Sequence, residues 1–293
     1  MASSADIRKK IRSVKNTEKI TKAMKMVAAS KLRRAEQAIK ATRPYALELG
    51  GLLKRVAARV PTEPGEAPHP LLETHTAPKR VLLLVLTSDR GLCGGFNSNT
   101  LRMAERFIAE NRDQYEVLEV ATIGRRAADH FRKAKLPALR NLPGVFGDLT
   151  FRRATEIAEQ LAKEYMQHDL DAVYIVFNEF KSAMTQILRV ERVLPVAGDD
   201  LPEAQSSTEY LFEPDMKSVL DKLLPQYVAI DVWRALLESW ASEQGARMSA
   251  MENASKNAGE IVDDLTLKFN KARQAAITGE LLEVVAGADA LKG

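Results

Sequence analysis

The two ends of the chain each carry a long stretch that is compatible with helix throughout. Residues 3–43 contain no proline, and helical patterning resumes after Pro44 and continues to about Val60. Residues 226–293 are also free of proline. At about 1.5 Å of rise per residue, the second stretch alone would form a helix roughly 100 Å long, which no ordinary globular domain requires. The sequence therefore predicts two long helical arms around a central domain, and a mechanical rather than a catalytic role.

Both arms repeat small or apolar residues at three-four spacing, close to the 3.5-residue period of a left-handed coiled coil. Pro44 is expected to bend or restart the first arm, because proline lacks the backbone N–H group. Ordinary bundle helices remain an alternative, although they average only about 11–12 residues. The repeating positions of the first arm are Ile7, Ile11, Val14, Thr21, Met24, Ala28, Leu32, Ala35, Ile39, Ala46, Leu49, Leu53, Val56 and Val60. Those of the last arm are Ile230, Trp233, Leu237, Trp240, Gln244, Met248, Met251, Ala258, Ile261, Leu265, Phe269 and Ala272.

The two arms are predicted to pair as an antiparallel coiled coil, because they flank a central domain that would lie at the open end of a hairpin. Their charges are complementary: residues 1–34 hold eleven Lys and Arg against two acids, whereas residues 238–293 hold nine acids against six bases. The last arm is longer by roughly ten residues or more, so its final turns would extend past the first arm. An apolar helix end without cover needs a partner. The apolar residues of these turns are Ala275, Ala276, Ile277, Leu281, Leu282, Val284, Val285 and Ala286.

Between the arms, strand-like and helix-like segments alternate. Residues 81–86 (VLLLVL) form a continuous apolar run, which is typical of a strand buried on both faces. Alternation of this kind predicts an α/β layered domain with a partly parallel sheet. The fold class is therefore α/β, with a long antiparallel coiled coil of the N- and C-terminal helices plus a central Rossmann-like α/β domain. Further strands are predicted at 115–123, 171–178 and 184–194, the last at a sheet edge, and helices at 98–111, 124–135 and 151–168.

Two segments rich in turn-forming residues divide the chain into predicted domains. The first of them, residues 61–78, holds five prolines. The predicted division is an N-terminal coiled-coil helix at 1–60, a linker at 61–78, the central α/β domain at 79–196, a second linker at 197–208, and a C-terminal coiled-coil helix at 209–293.

A glycine-rich turn follows the first predicted strand, at the place where a Rossmann domain binds a dinucleotide. Residues 91–97 read GLCGGFN, whereas the dinucleotide fingerprint needs glycine at its first, third and sixth positions. The sequence contains no GxxxxGK[ST] phosphate loop either. Gly91, Gly94 and Gly95 are therefore interpreted as permitting a tight turn and close backbone packing, and no cofactor is predicted.

Other candidate chemical groups are few. Cys93 is the only cysteine, so an internal disulfide is excluded, and it is predicted to be a buried thiol rather than a nucleophile. The four histidines lack metal-like spacing with Cys93 or with one another. Asp89 and Arg90 are predicted to form a salt-bridged turn. We therefore expect no catalytic residue, no metal and no small-molecule substrate. An oxidoreductase or hydrolase that uses the Gly91 turn remains the enzyme alternative.

The basic first arm raises a third possibility, because a basic helix that leads into a zipper is the layout of a bZIP protein. Its basic residues, however, interleave with the apolar positions, and residues 1–43 contain no aromatic side chain. No run approaches 18 apolar residues, and residues 1–34 lack the apolar core of a signal peptide. We expect neither a nucleic-acid partner nor a membrane-spanning segment.

Three stretches resemble motifs of one family. IRKKI at 7–11 with TEKITKAMKMVAASK at 17–31 is similar to the N-terminal helix of the gamma subunit of F-type ATP synthase. TSDRGLCGGFN at 87–97 resembles the central loop of that family, and NKARQAAITGELLE at 270–283 resembles its C-terminal signature. The three matches span nearly the whole chain in the right order.

The resemblance implies the central rotor shaft of an ATP synthase, without a catalytic site of its own. The coiled coil would stand inside the ring of alpha and beta subunits, and the α/β domain would rest on the membrane c-ring with epsilon alongside. Ion flow through the c-ring would turn the shaft, and the shaft would drive the catalytic sites on the beta subunits through their binding states. The absence of a clear transit peptide favours a bacterial member, bound peripherally at the cytoplasmic face of the cell membrane.

The resemblance also implies two sets of contact residues, carried over position by position. Gly279 departs from the motif, where a larger residue often stands, and lowers helix propensity by about 1 kcal/mol relative to alanine. The residues implied to contact the hexamer of alpha and beta subunits are Met24, Arg247, Arg273, Gln274, Thr278 and Glu280. Those implied to lie near the c-ring and epsilon are Arg43, Tyr45, Tyr210 and Glu213.

Overall fold

The computed structural model describes residues 4–58, 67–75, 77–134, 138–196, 213 and 215–290. The first and the last elements along the chain are long helices, and strands alternate with shorter helices between them. The principal elements are α1 (Ser4–Ala57), β1 (Arg80–Leu86), α2 (Phe96–Asn111), β2 (Val117–Ile123), α3 (Arg125–Lys133), β3 (Ala138–Leu142), α4 (Phe151–Met166), β4 (Ala172–Phe180), β5 (Gln186–Leu194) and α5 (Met216–Ala290).

The chain divides into two compact units. The first combines Met1–Ala28 with Met248–Gly293, and the second is Ala29–Arg247. The predicted division into arms, linkers and a central domain is a different partition, and it stays a prediction.

The second unit is built around a five-stranded sheet in the order β3-β2-β1-β4-β5. The first four strands are parallel, and β5 runs antiparallel to β4. Strand β5 lies at the edge of the sheet, as predicted for residues 184–194. Strand β3 was not predicted. It is only five residues long, and its sequence ALRNL does not alternate apolar with polar side chains, so the strand signal is weak.

Both faces of the sheet are covered by helices, which explains the unbroken apolar run of β1. Leu83 and Val85 pack with residues of α2 and α3 on one face. Leu82, Leu84 and Leu86 pack on the other face with α4 and with the parts of α1 and α5 that belong to this unit. Because successive strand residues point to opposite faces, both sets must be apolar.

The predicted restart of the helix at Pro44 was wrong, because α1 continues through this residue to Ala57. The alternative prediction, a bend at Pro44, stays a prediction. Pro44 is exposed, and on an exposed turn water can satisfy the carbonyl that proline leaves without a donor. Helix α5 likewise contains Pro225 and begins at Met216, ahead of the proline-free stretch. The carboxylate of Asp215 caps this start by accepting a 2.8 Å hydrogen bond from the amide of Ser218.

In the first unit, α1 and α5 pair in opposite directions. Lys25 Nζ lies 2.6 Å from Glu252 Oε1. Ile7 is 18 residues before Lys25 and is buried. If α5 ran parallel to α1, Ile7 would lie opposite residue 234, which belongs to the other unit. If α5 runs antiparallel to α1, Ile7 lies opposite residue 270, about 27 Å beyond Glu252. The predicted antiparallel coiled coil is therefore confirmed in this unit.

The predicted apolar stripes are confirmed except at one position. Every predicted residue of the first arm that the structure describes is buried or half-buried. In the last arm Ile261 is 49% exposed, whereas its neighbour Val262 is 7% exposed. In the structure the stripe runs from Ala258 to Val262, a step of four residues, and then to Leu265, a step of three. The prediction used Ile261 instead, which gives a step of three followed by a step of four. Two adjacent β-branched aliphatic residues satisfy either order, so the sequence pattern alone does not choose between them.

Part of the first predicted linker packs against the core. Residues 70–72 form a short 3₁₀ helix, and the side chain of Leu71 is fully buried among core residues. Its carbonyl accepts a 2.8 Å hydrogen bond from the amide of Val196. Residues 59–66 and the second predicted linker, 197–208, lie outside the described residues.

Candidate interaction surfaces

The first unit carries five of the six residues predicted to contact the hexamer. Arg273, Gln274, Thr278 and Glu280 are exposed on the last turns of α5. Met24 is half-buried on α1. The antiparallel pairing sets Met24 opposite residue 253, about 30 Å along the helix pair from Arg273. The structure thus groups the four residues of α5 and separates Met24 from them.

The apolar end of α5 is exposed, as predicted. The pairing of Lys25 with Glu252 sets Ser4, the first described residue of α1, opposite residue 273. The described part of α5 continues to Ala290, about 25 Å further. Leu282 is 65% exposed in this segment. The other large apolar residues exposed there are Ile277, Leu281, Val284 and Val285.

The second predicted contact set lies in the second unit. Arg43 and Tyr45 are exposed on α1, beside the exposed Leu47. Glu213 is exposed immediately before the start of α5. Tyr210 lies outside the described residues.

Arg247 differs from the other predicted contact residues because its guanidinium is engaged within the second unit. Its side chain is 12% exposed, and Nη1 lies 2.5 Å from Oε1 of Glu243, whose side chain is 8% exposed. Nη2 donates to the carbonyl oxygens of Arg90 and Gly91, each at 3.3 Å. Sequence reasoning missed this contact, since a Glu and an Arg four residues apart also occur on exposed helix faces.

The Gly91 turn, residues 87–97, is held by internal hydrogen bonds. The amide of Ser88 donates to Asn97 Oδ1 at 2.9 Å, and Asn97 Nδ2 donates to Ser88 Oγ at 2.8 Å and to Cys93 Sγ at 3.1 Å. Gly94 has a φ of +57°, which favours glycine, so the tight-turn interpretation is confirmed at this residue. Cys93 is buried as predicted, and burial raises the pKa of its thiol.

Asp89 has a different role from the one predicted. Its carboxylate Oδ1 accepts hydrogen bonds from the amides of Arg125, at 3.0 Å, and of Gly144, at 3.3 Å. Among the described ion pairs, none includes Asp89. The expected salt-bridged turn is instead a carboxylate that caps the start of α3, where the helix dipole favours a negative charge.

Helix α5 occupies the crevice in which a doubly wound domain binds its ligand. The strand order reverses between β1 and β4, and ligands of such folds lie beyond the carboxyl ends of the strands at this point. Ser242 Oγ donates to the carbonyl of Asn178, near the end of β4, at 3.0 Å. A Cβ on Gly245 would lie 3.1 Å from Cα of Ala183, in the turn after β4. Together with Arg247 on the Gly91 turn, these contacts place α5 within the crevice.

A cleft of about 670 Å³ lies along the edge strand β5, away from the Gly91 turn. Its charges are paired within the wall: Arg234 Nη2 lies 2.5 Å from Glu191 Oε2 and 2.8 Å from Asp231 Oδ1. Burial raises the pKa of the nearby Glu238 to about 7, with smaller raising effects from Glu179 and Glu191, while Arg234 opposes the rise. These contacts form a structural ion-pair network, in which the acidic side chains pair with Arg234.

Two further features are absent from the described part of the chain. Its helices include none long and apolar enough to cross a bilayer. Its His, Cys, Asp and Glu side chains form no group of three that could hold a metal ion.

Known proteins that are similar in sequence and solved structures that are similar in fold indicate the same family. A family model described as ATP synthase matches residues 3–291. The ATP synthase gamma chain of Anaeromyxobacter sp. (strain Fw109-5) is 49% identical over 292 residues, which cover 100% of both chains. The ATP synthase gamma chain of Geotalea uraniireducens (strain Rf4) is 45% identical over 293 residues, also 100% of both.

Solved structures give the same result at greater distance. A chain of the central stalk and c-ring of Tetrahymena thermophila mitochondrial ATP synthase matches with a TM-score of 0.62 and 30% identity, over 80% of this chain and 99% of that one. A chain of Euglena gracilis mitochondrial ATP synthase matches with a TM-score of 0.68 and 21% identity, over 98% of this chain and 94% of that one. At this identity the match supports the fold alone. With the full-length bacterial relatives, these matches establish that the chain belongs to the ATP synthase gamma chain family.

Proposed function

We propose that this chain is the central rotor shaft of a bacterial F-type ATP synthase. In this role it transmits torque between ion flow through the membrane c-ring and the catalytic sites on the beta subunits. The observation that carries the proposal is the antiparallel pair of α1 and α5 in a chain of the gamma family. Paired helices resist bending and twisting better than one helix, because side chains packed along their whole length must rearrange before either helix deforms.

The exposed apolar end of α5 supports a partner that encloses it. Five large apolar side chains, from Ile277 to Val285, are exposed there in the described structure. A contiguous apolar surface of this kind is typical of a protein interface. The alpha and beta subunits are the proposed partners, and Arg273, Gln274, Thr278 and Glu280 would contact them beside this end. Met24 would contact the same hexamer further along the pair.

The α/β domain would rest on the c-ring with epsilon alongside. The exposed Arg43, Tyr45 and Glu213 are the proposed contacts on this side, together with Tyr210. A chain in this position lies peripherally at the cytoplasmic face of the cell membrane, without entering the bilayer. The structure of the Tetrahymena relative is described as central stalk and c-ring, which supports this arrangement.

The chain is proposed to have no catalytic site of its own. Its Gly91 turn lacks the dinucleotide fingerprint. The crevice beside this turn contains Ser242, Gly245 and Arg247 of its own α5. A nucleotide would have to displace a helix that packs against the core. The nucleotides of the complex would therefore bind to other subunits.

Two measurements on the purified protein test this function. The complex isolated through this chain should contain alpha, beta, epsilon and c subunits, with one copy of this chain per catalytic ring. The chain alone should bind no ATP in calorimetry at concentrations where the complex hydrolyses it. Stoichiometric ATP binding by the isolated chain, or its recovery in several copies per ring, would contradict the proposal.

A further inference from the structure

The Gly91 turn includes a residue in an unfavourable backbone conformation. Leu92 has a φ of +65°, in the left-handed region that residues with a Cβ avoid. Its side chain is also exposed, so burial of that side chain does not stabilise the conformation. A conformation of this kind persists when surrounding contacts hold it in place.

Arg247 supplies such contacts at the two peptide groups before Leu92. Its Nη2 donates to the carbonyls of Arg90 and Gly91, while its Nη1 binds Glu243 on the preceding turn of α5. Hydrogen bonds from a charged donor are the stronger kind. The planar guanidinium can bind a carboxylate and two carbonyls at once, which a lysine ammonium on its flexible stem does less well.

Glu243 fixes the direction of this guanidinium. Its side chain is 8% exposed, and its Oε2 is a buried atom without a hydrogen-bond partner in the structure. Burial raises the pKa of Glu243, while Arg247 opposes the rise. A buried carboxylate that depends on one arginine restricts that arginine to the few rotamers that reach it.

We propose that Arg247, oriented by Glu243, is a positioning residue that holds the Gly91 turn on α5 and keeps Arg90 and Leu92 in their outward positions. The pair joins the α/β sheet to α5 at the crevice where related folds bind ligands. On the proposed function of the chain, this link carries load between the α/β domain and the shaft helix.

Cys93 makes the proposal measurable, because the only thiol of the chain lies within the turn and is 1% exposed. Its rate of modification by a soluble disulfide reagent reports how often the turn opens. In the isolated full chain, Arg247→Met should speed this modification by about tenfold or more, since a charge-assisted contact is lost. Arg247→Lys should give an intermediate rate, and Glu243→Gln a smaller acceleration in the same direction.

Arg152→Met is the matched control. Arg152 pairs with Glu156 across one helical turn at 3.0 Å, but the two side chains are 88% and 58% exposed. Its loss should leave the rate for Cys93 unchanged. The rates are measured across low urea concentrations, because opening of one turn depends little on urea whereas global unfolding depends on it steeply.

Modification of the Arg247→Met chain at the parent rate would overturn the proposal. So would an acceleration that has the urea dependence of global unfolding, or an equal acceleration in Arg152→Met. ATP-driven proton pumping by the complex with Arg247→Met then separates the two proposals. Fast modification with normal pumping would refute load transfer through this link, while failure of the parent chain to join the complex would refute the proposed function.

Discussion

Gly245 of α5 lies directly against the backbone of Ala183, in the turn between β4 and β5. A Cβ built on Gly245 would be 3.1 Å from the Cα and 3.3 Å from the carbonyl oxygen of Ala183. Both neighbours are backbone atoms, which cannot rotate away as a side chain does. The close approach of α5 to the sheet therefore depends on the missing side chain at position 245.

Gly245→Ala should destabilise the chain by about 1–3 kcal/mol, because relieving the overlap requires the helix or the turn to shift. This net change already includes the gain of about 1 kcal/mol that alanine brings to a helix interior. Gly259→Ala is the control, since nothing lies within 4 Å of a Cβ built there on the same helix. That variant should be stabilised by about 0.5–1 kcal/mol. Urea unfolding measures both changes, and equal shifts in the two variants would contradict the close contact.

Two neighbouring substitutions test whether Val262 rather than Ile261 belongs to the buried stripe of α5 in the first unit. Val262→Ala should cost about 1–2 kcal/mol, because it removes buried methyl groups from the helix pair. Ile261→Ala, which removes more carbon from a half-exposed side chain, should cost less than about 0.5 kcal/mol. The midpoint of thermal unfolding orders the two variants. A larger loss in Ile261→Ala would restore the pattern predicted from the sequence.

The raised pKa of Glu238 predicts how its removal depends on pH. The folded-state pKa is about 7, above the ordinary value of 4.5, so the folded chain holds an additional proton between these two pH values. The free energy of unfolding therefore falls as the pH rises through this window, and the loss is complete above it. Glu238→Gln removes the ionisation and should stabilise the chain at pH 8 by about 1–2 kcal/mol, after allowance for solvent screening.

This difference should shrink towards zero at pH 5, where Glu238 of the folded parent chain is protonated. Glu110→Gln, an exposed carboxylate on α2, should change the free energy of unfolding little at either pH. Urea unfolding at the two pH values gives the comparison. A Glu238→Gln effect that is the same at pH 5 and pH 8 would show that the ionisation of Glu238 is not its cause.

Met24→Lys tests the proposed contact between α1 and the hexamer. Met24 is half-buried on α1, so a lysine can extend along the helix and place its charge at the surface. An additional unpaired cation at the hexamer contact should hinder rotation more than folding. The ratio of proton pumping to ATP hydrolysis in membrane vesicles should fall, while the thermal stability of the isolated chain changes little. An unchanged ratio would contradict the contact.

The sequence correctly predicted the elements that are marked by a continuous run or a regular spacing of apolar residues. The run VLLLVL predicts a buried central strand, and β1 has core residues on both faces. The three-four spacing of the arms predicts which residues α1 and α5 bury. Pro44 misled the prediction because a propensity rule covers one turn, whereas packing along a long helix outweighs the loss of one hydrogen bond.

The contacts within the crevice could not be predicted in this way. Ser242, Gly245 and Arg247 are ordinary residues of a helix surface when they are read along α5. Their roles depend on Asn178, Ala183 and Gly91, which are distant in sequence. The glycine at 245 is the one local hint, since a glycine inside a helix often marks close packing.

Rotation of this chain within its complex is the measurement that tests the central claim most directly. Met184, in the turn after β4, is 87% exposed, so Met184→Cys gives an attachment point for a probe, and the native Cys93 is buried. With the alpha and beta subunits fixed to a surface, the probe should turn in one direction while ATP is hydrolysed and stop when ATP is exhausted. A probe that stays fixed while the complex hydrolyses ATP at its full rate would contradict the account.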